Sequence, residues 1–323
     1  VKGVFTLPLL LSVTLLSSCS LTLWNYSNID SKRFALVYGV AKYTASASNL
    51  NFPGNDASSV AQMLSGEGYS VTSRWVDASG NVSFDNNPAG SYSSSLDAPT
   101  KANLRTDMTD MAGKVGKDDV FLFYFSGHGM QGTSPSGPVE YILPEGAIDG
   151  SGNPSVANSV SDTELAVWLS SISSNRKVVI LDSCNSGGFI GNSLEADSIP
   201  AASLGWSGGL TLQALAQAMD NFLNFSTTTN SVSPSAGTMV LSAAGRDETC
   251  SEDEPGGPFQ HGIMTYFLLQ APRSGDLNRD GHVTVGELFA LVKAGIDTDF
   301  NPEDPGSAFE PRISGGPVDF VLW

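Results

Sequence analysis

The 323-residue sequence predicts an α/β fold with a mostly parallel sheet, on three observations. Three continuous apolar runs, RFALVYGVAKY (33–43), DDVFLFYFSGHG (118–129) and RKVVILDSC (176–184), read as strands buried on both faces. Segments of helical spacing separate them, and this alternation is the pattern of parallel crossovers. Two of the runs end in reactive residues, His128 and Cys184, and open parallel sheets gather their chemistry at the carboxyl ends of strands.

Taken in order, residues 1–18 carry one early lysine and an apolar run too short to span a bilayer, which reads as an export signal. Leu16-Ser17-Ser18-Cys19 resembles the bacterial lipoprotein box. That resemblance implies a lipidated Cys19, a tether over 19–32 and an exported bacterial protein anchored in the cell envelope through its N-terminal lipid. A single domain, 33–323, follows. Its first strand is the 33–43 run. NDASSVAQMLSGEGY then spaces Val60, Met63 and Leu64 as a helix does and reads as capped by Asn55 or Asp56. YSVTSRWVD (69–77) alternates like a strand, and the Ser-, Asn- and Gly-rich stretch 78–99 reads as a loop or short hairpin. TKANLRTDMTDMAGKV is helical, and the 118–129 strand stops at Ser-Gly-His-Gly. SDTELAVWLSS (161–171) is a capped helix before the 176–184 strand. An amphipathic helix over 210–225, a strand in GTMVLSAAG, a helix in HGIMTYFLLQA and a last strand in PVDFVLW complete the chain.

Sixteen basic residues against 33 acidic ones give a formal charge of −17, which argues against a nucleic-acid partner, because phosphate neutralisation needs clustered Lys and Arg. The same acidity suits cationic ligands, calcium and basic peptide segments among them. With Cys19 assigned to the anchor, Cys184 and Cys250 remain, able to pair or to stay as thiols; two cysteines make no disulfide framework.

The chain holds three histidines, so a general base can be sought by elimination. His282 lies in DLNRDGHVTVGE and His261 opens a helix. His128 ends a core strand between two glycines that admit a substrate backbone. A cysteine nucleophile needs a base or a depressed pKa and partial exposure, and Cys184 at a strand end beside His128 meets these needs. Ser186-Gly187-Gly188 offers unobstructed amides for an oxyanion. A phosphatase loop would place arginine six residues after the cysteine, where Ile190 stands.

FYFSGHG together with VVILDSCNSGG resembles the caspase-like cysteine peptidases, specifically the metacaspase branch. FALVYGVAKY, NFPGNDASSVAQML and VLSAAGRDE…HGIMTYFLL extend the likeness over roughly residues 33–271. The resemblance implies a three-layer sandwich around a mostly parallel six-stranded sheet, with a Cys184 nucleophile, a His128 base and an oxyanion hole including the Gly129 and Cys184 amides. It also implies protein or peptide substrates cut after Arg or Lys, the basic side chain being held by Asp56 and Asp182 with Ser126 on the pocket wall. A guanidinium suits such carboxylates because it binds them in bidentate fashion. Asn185 stands where the family often has His. No Lys or Arg occurs between Lys177 and Arg246, so basic-specific self-cleavage within that stretch is ruled out.

DLNRDGHVTVGE (276–287) places Asp276, Asn278, Asp280, Thr284 and Glu287 at the oxygen-ligand positions of an EF-hand-like calcium loop, with Gly281 at its sharp turn. His282 would offer its backbone carbonyl. LFALVKAGI supplies the exiting helix, while Pro272 breaks the entering one, as in dockerin-like single loops. Calcium is the expected cofactor, with no organic cofactor. The leading reading is a calcium-binding cysteine endopeptidase of basic specificity. Its rivals are a non-catalytic calcium-dependent adhesion or signalling lipoprotein on the same fold, and a peptidase preferring uncharged residues.

Overall fold

The computed structural model describes residues 31–85, 97–134, 137–185, 237–244, 250–315 and 320–323. The export signal, Cys19, Ser186-Gly187-Gly188 and the helix expected over 210–225 lie outside the described residues. In chain order the first half comprises strand β1 (Arg33–Val40), helix α1 (Pro53–Gly66), β2 (Tyr69–Val76), β3 (Val82–Asp85), α2 (Lys101–Lys114), β4 (Val120–Ser134) and β5 (Gly137–Ile142). Then come β6 (Val160–Ser161), α3 (Asp162–Ser170), β7 (Arg176–Asn185), β8 (Thr238–Ser242), α4 (Ile263–Leu268), α5 (Ala271–Ser274), α6 (Val285–Gly295) and β9 (Arg312–Gly315).

The sheet runs β3-β2-β1-β4-β7-β8-β9, with β5 on β4 and β6 on β5. The five strands β2, β1, β4, β7 and β8 are mutually parallel, and β9 closes one side antiparallel. These make six strands, the number expected, although the sixth is β9 and not the PVDFVLW stretch. Three more among the described residues enlarge the sheet: β3 pairs antiparallel with β2, and β5 with β6 forms an arm off β4.

Alternation along β4 explains the layers. Val120, Leu122 and Tyr124 pack with α1, α4 and α6 on one face, whereas Phe121, Phe123 and Phe125 pack with α2 and α3 on the other. A strand buried on both faces reads as an unbroken apolar run for this reason. The fold is a three-layer α/β sandwich, and each fully buried aromatic of β4 stabilises it by about 1.5–3 kcal/mol.

Four local expectations need correction. Neither Asn55 nor Asp56 caps α1: the helix starts at Pro53 with Phe52 as cap and no side-chain cap bond. Proline is preorganised for the first helical turn, so no acidic cap is required, and the Asp56 carboxylate is turned to other partners. β4 does not stop at Gly129 but runs on to Ser134, because β5 folds back on it as an antiparallel partner. Pro272 does not simply break a helix; it sits in the first turn of α5, which leads straight into the 276–287 loop. Among the described residues the last strand is β9; of the strand expected over 317–323 only 320–323 are described, and there Val321 makes an isolated bridge to Thr284.

Candidate active site

Parallel pairing of β4 with β7 sets Ser126 beside Asp182, His128 beside Cys184 and Gly129 beside Asn185. Adjacent strands lie about 4.8 Å apart, so the α-carbons of His128 and Cys184 are neighbours at the carboxyl ends of two central strands. Cys184 is described by its backbone alone.

The His128 ring is fixed from two sides. Its Nε2 lies 2.8 Å from the Ser48 carbonyl, and Tyr43 packs on it with ring centroids 5.0 Å apart. A carbonyl only accepts, so Nε2 carries the proton and Nδ1 keeps the basic lone pair. The Tyr43 hydroxyl accepts the His128 backbone N–H at 3.0 Å and donates to the Leu143 carbonyl at 2.9 Å, tying His128 to the chain beyond β5. Burial lowers the His128 pKa below its ordinary value, and the Ser48 hydrogen bond opposes this in part. The neutral imidazole, the form able to take a proton, is thereby favoured at neutral pH.

Two register positions nearer the sheet centre, an acidic cluster forms under α4. Asp56 and Asp182 are 1% and 5% exposed. Asp56 accepts from Ser126 Oγ at 2.8 Å and from the Gly262 N–H at 3.1 Å, and His261 Nδ1 lies 2.9 Å from its Oδ1. Asp182 Oδ2 accepts from the Thr265 N–H at 3.0 Å and from Thr265 Oγ1 at 2.5 Å. Both carboxylates crowd the Cα of Gly262, where a Cβ would collide with Asp182. Only glycine permits that approach.

Burial is the main force on these groups. It pushes the Asp182 pKa up to about 7, with the Asp56 charge adding to the rise. Burial also raises Asp56, against the lowering effect of His261, Ser126 and Gly262. A third carboxyl, Glu252, is raised by burial too, with the Asp56 charge adding to the rise, and the Glu252 charge in turn raises Asp182. A site of crowded, desolvated carboxyls suits a cation, which relieves both burdens at once.

The three residues expected to hold a basic side chain, Asp56, Ser126 and Asp182, are thus brought together. Sequence reasoning missed Glu252, His261, Tyr43 and the Ser48 carbonyl. The acidic run SEDE and the position of His261 just before α4 were the available signals for the first two. Nothing in the sequence marked the others.

The 276–287 loop stands apart. Asp276 accepts from the amides of Asp280 and Gly281, Asn278 Oδ1 from that of Asp280, and Asp280 from that of His282. Gly281 takes φ 88°, the left-handed turn expected at that place. Glu287 forms a capping box with Thr284, donors and acceptors exchanged between cap and third residue. The oxygen donors fit a hard cation in type and order. Among the described residues, however, no three His, Cys, Asp or Glu side chains are grouped so as to hold a metal ion, and Glu287 accepts from the Thr284 and Asn278 amides.

The caspase domain family model matches residues 32–304. Similar solved structures include protein GSU0716 from Geobacter sulfurreducens, 18% identical over 88% of this chain and 94% of that one, with a TM-score of 0.51. Caspase-1 from Spodoptera frugiperda is 12% identical over 88% of each chain, with a TM-score of 0.50. No curated protein matches. The sandwich and the extent of the family match lead to one assignment: the chain belongs to the caspase domain family of cysteine peptidases.

Proposed function

We propose that the protein is a cysteine endopeptidase of metacaspase type, using Cys184 and His128 and cutting after Arg or Lys. The observation that carries this is the in-register pairing of His128 with Cys184, combined with a ring whose Nε2 is taken by Ser48 and whose Nδ1 is left basic. In the reaction His128 Nδ1 accepts the thiol proton as Cys184 sulfur bonds to the scissile carbonyl carbon. The Gly129 and Cys184 amides receive the developing oxyanion. Collapse to a thioester expels the amine, which takes the proton from His128, and water activated by the same imidazole then releases the acid. The Asp56, Ser126 and Asp182 cluster supports a cationic side chain before the cut, as their buried carboxyls gain a counter-charge from it.

Calcium at the 276–287 loop is part of the proposal, with Asp276, Asn278, Asp280, Thr284, Glu287 and the His282 carbonyl holding it. When bound, calcium would supply charge neutralisation and rigidity near the C-terminus. Envelope anchoring through Cys19 completes the reading.

The test is labelling with an arginyl chloromethylketone in the presence of calcium, alongside hydrolysis of an Arg-ending fluorogenic peptide. An adduct on Cys184 and loss of hydrolysis in Cys184→Ala and His128→Ala are expected. An unlabelled Cys184 in folded wild-type protein refutes the basic-specific peptidase and leaves the adhesion or signalling reading, unless a panel of uncharged peptides is cut.

A further inference from the structure

Glu252 lies in the C-terminal half of the chain, yet its carboxylate is bound to the segment that follows β1. Oε1 accepts from the Asn51 N–H at 2.9 Å and from Asn51 Nδ2 at 3.0 Å. Oε2 accepts from the Asn51 N–H at 3.0 Å and from the Phe52 N–H at 3.1 Å. Glu252 also bridges to Gly262, the residue pressed between Asp56 and Asp182. One carboxylate therefore joins the roof of the acidic cluster to residues 51 and 52, three positions beyond the Ser48 carbonyl that holds His128.

The segment between β1 and α1 has little regular structure of its own. It contains one 3₁₀ turn over Ser46–Ser48 and is stitched back to the strand end by Leu50 N–H to Ala41 O and by Tyr43 N–H to Asn49 Oδ1. Those ties close residues 41–50 into a loop that carries Ser48. Glu252 holds the next two residues, Asn51 and Phe52, and so fixes where the end of that loop sits at the entry to α1.

We infer that Glu252 is a positioning residue for the base: by clamping the Asn51 and Phe52 amides it keeps the Ser48 carbonyl on His128 Nε2, and so keeps Nδ1 aimed for proton transfer. This rests on the proposed role of His128. It also gives Glu252 a task distinct from that of the neighbouring acids. Its four bonds run to backbone and side-chain amides, whereas the oxygens of Asp56 and Asp182 face Ser126, Gly262 and Thr265. The clamp further links the acidic cluster to the segment that carries Ser48, because the 252–262 stretch meets Asp56 through His261 and Gly262 and residues 51 and 52 through Glu252.

Two variants test it. Glu252→Gln turns an amide group toward an N–H and loses an acceptor; Glu252→Asp keeps the charge but withdraws the oxygens by one methylene. Both are expected to lower kcat on an Arg-ending peptide by roughly 10- to 100-fold, with KM within about twofold, as for a displaced catalytic group. The chain has three histidines, so ring NMR signals, assigned with His128→Ala, give a readout independent of turnover. The Ser48 bond raises the His128 pKa, so its loss moves the His128 titration to lower pH. The groups facing the two ends are Tyr43 at His128, Asp56 and Asp182 at Glu252, and His261 at Asp56.

An unchanged His128 titration in folded variants overturns the clamp. So does a loss carried wholly by KM in Glu252→Gln with Glu252→Asp like wild type, which makes Glu252 a contact for the substrate's cation. Wild-type protein that hydrolyses no peptide defeats the proposed function, while the His128 titration still decides the clamp.

Discussion

Asp182 offers the sharpest perturbation, because its charge state changes in the range where the enzyme would work. With its pKa near 7, about 1% of the carboxyl is ionised at pH 5 and about 90% at pH 8. Only the ionised form holds a guanidinium strongly. The ratio of kcat/KM for an Arg-ending peptide to that for an uncharged one should therefore rise roughly 90-fold between pH 5 and pH 8. The ratio cancels the titration of His128 and Cys184, which affects both substrates alike. Asp182→Asn keeps an oxygen for Thr265 but removes the charge, so the pH dependence should vanish and Arg preference fall by about 10- to 150-fold, equivalent to about 1.5–3 kcal/mol. Stability supplies a second measure. The folded carboxyl binds its proton more tightly than the unfolded one, so between about pH 4 and pH 7 rising pH removes stability. A rise from the ordinary 3.8 to about 7 bounds that loss on the order of 4 kcal/mol, and the loss should be absent from Asp182→Asn in denaturant titrations at each pH. An Arg preference that is flat with pH, or kept by Asp182→Asn, refutes the reasoning.

Two further outcomes are expected. Tyr43→Phe keeps the ring on His128 but leaves the His128 N–H and Leu143 carbonyl without their shared hydroxyl; denaturant unfolding should show a loss of about 1–3 kcal/mol, and kcat should fall more than KM changes. Glu287→Gln retains the capping box, since Gln serves at that position, yet loses the carboxylate needed for bidentate calcium binding; calorimetry should show calcium affinity lost or strongly weakened while far-UV dichroism stays unchanged.

Strands and their chemistry were legible for the same physical reason. A central parallel strand must be apolar on both faces, so β1, β4 and β7 appear as unbroken runs, and polar residues interrupt the run only toward its carboxyl end. Ser126, His128, Asp182 and Cys184 are such residues, and the register of β4 against β7 brings them into two adjacent pairs. Strand ends were less legible, because they depend on partners: β4 outlasts its apolar run only through pairing with β5.

What surrounds the site was illegible because it is assembled across long stretches of chain from ordinary polar groups. Ser48 contributes a carbonyl that any residue could supply, so no side-chain pattern points to it. Glu252 sits in an acidic run whose simplest meaning is solvation; its role follows from meeting two amides some two hundred residues away. His261 was set aside in the search for a base because it opens a helix, yet that position carries its ring to Asp56 and puts Gly262 between the two acids. The helix start, the glycine and the histidine thus form one device. Its imidazole and amide oppose the rise in pKa that burial imposes on Asp56, as the Thr265 amide does for Asp182, and so favour the charged form that the proposed basic specificity needs.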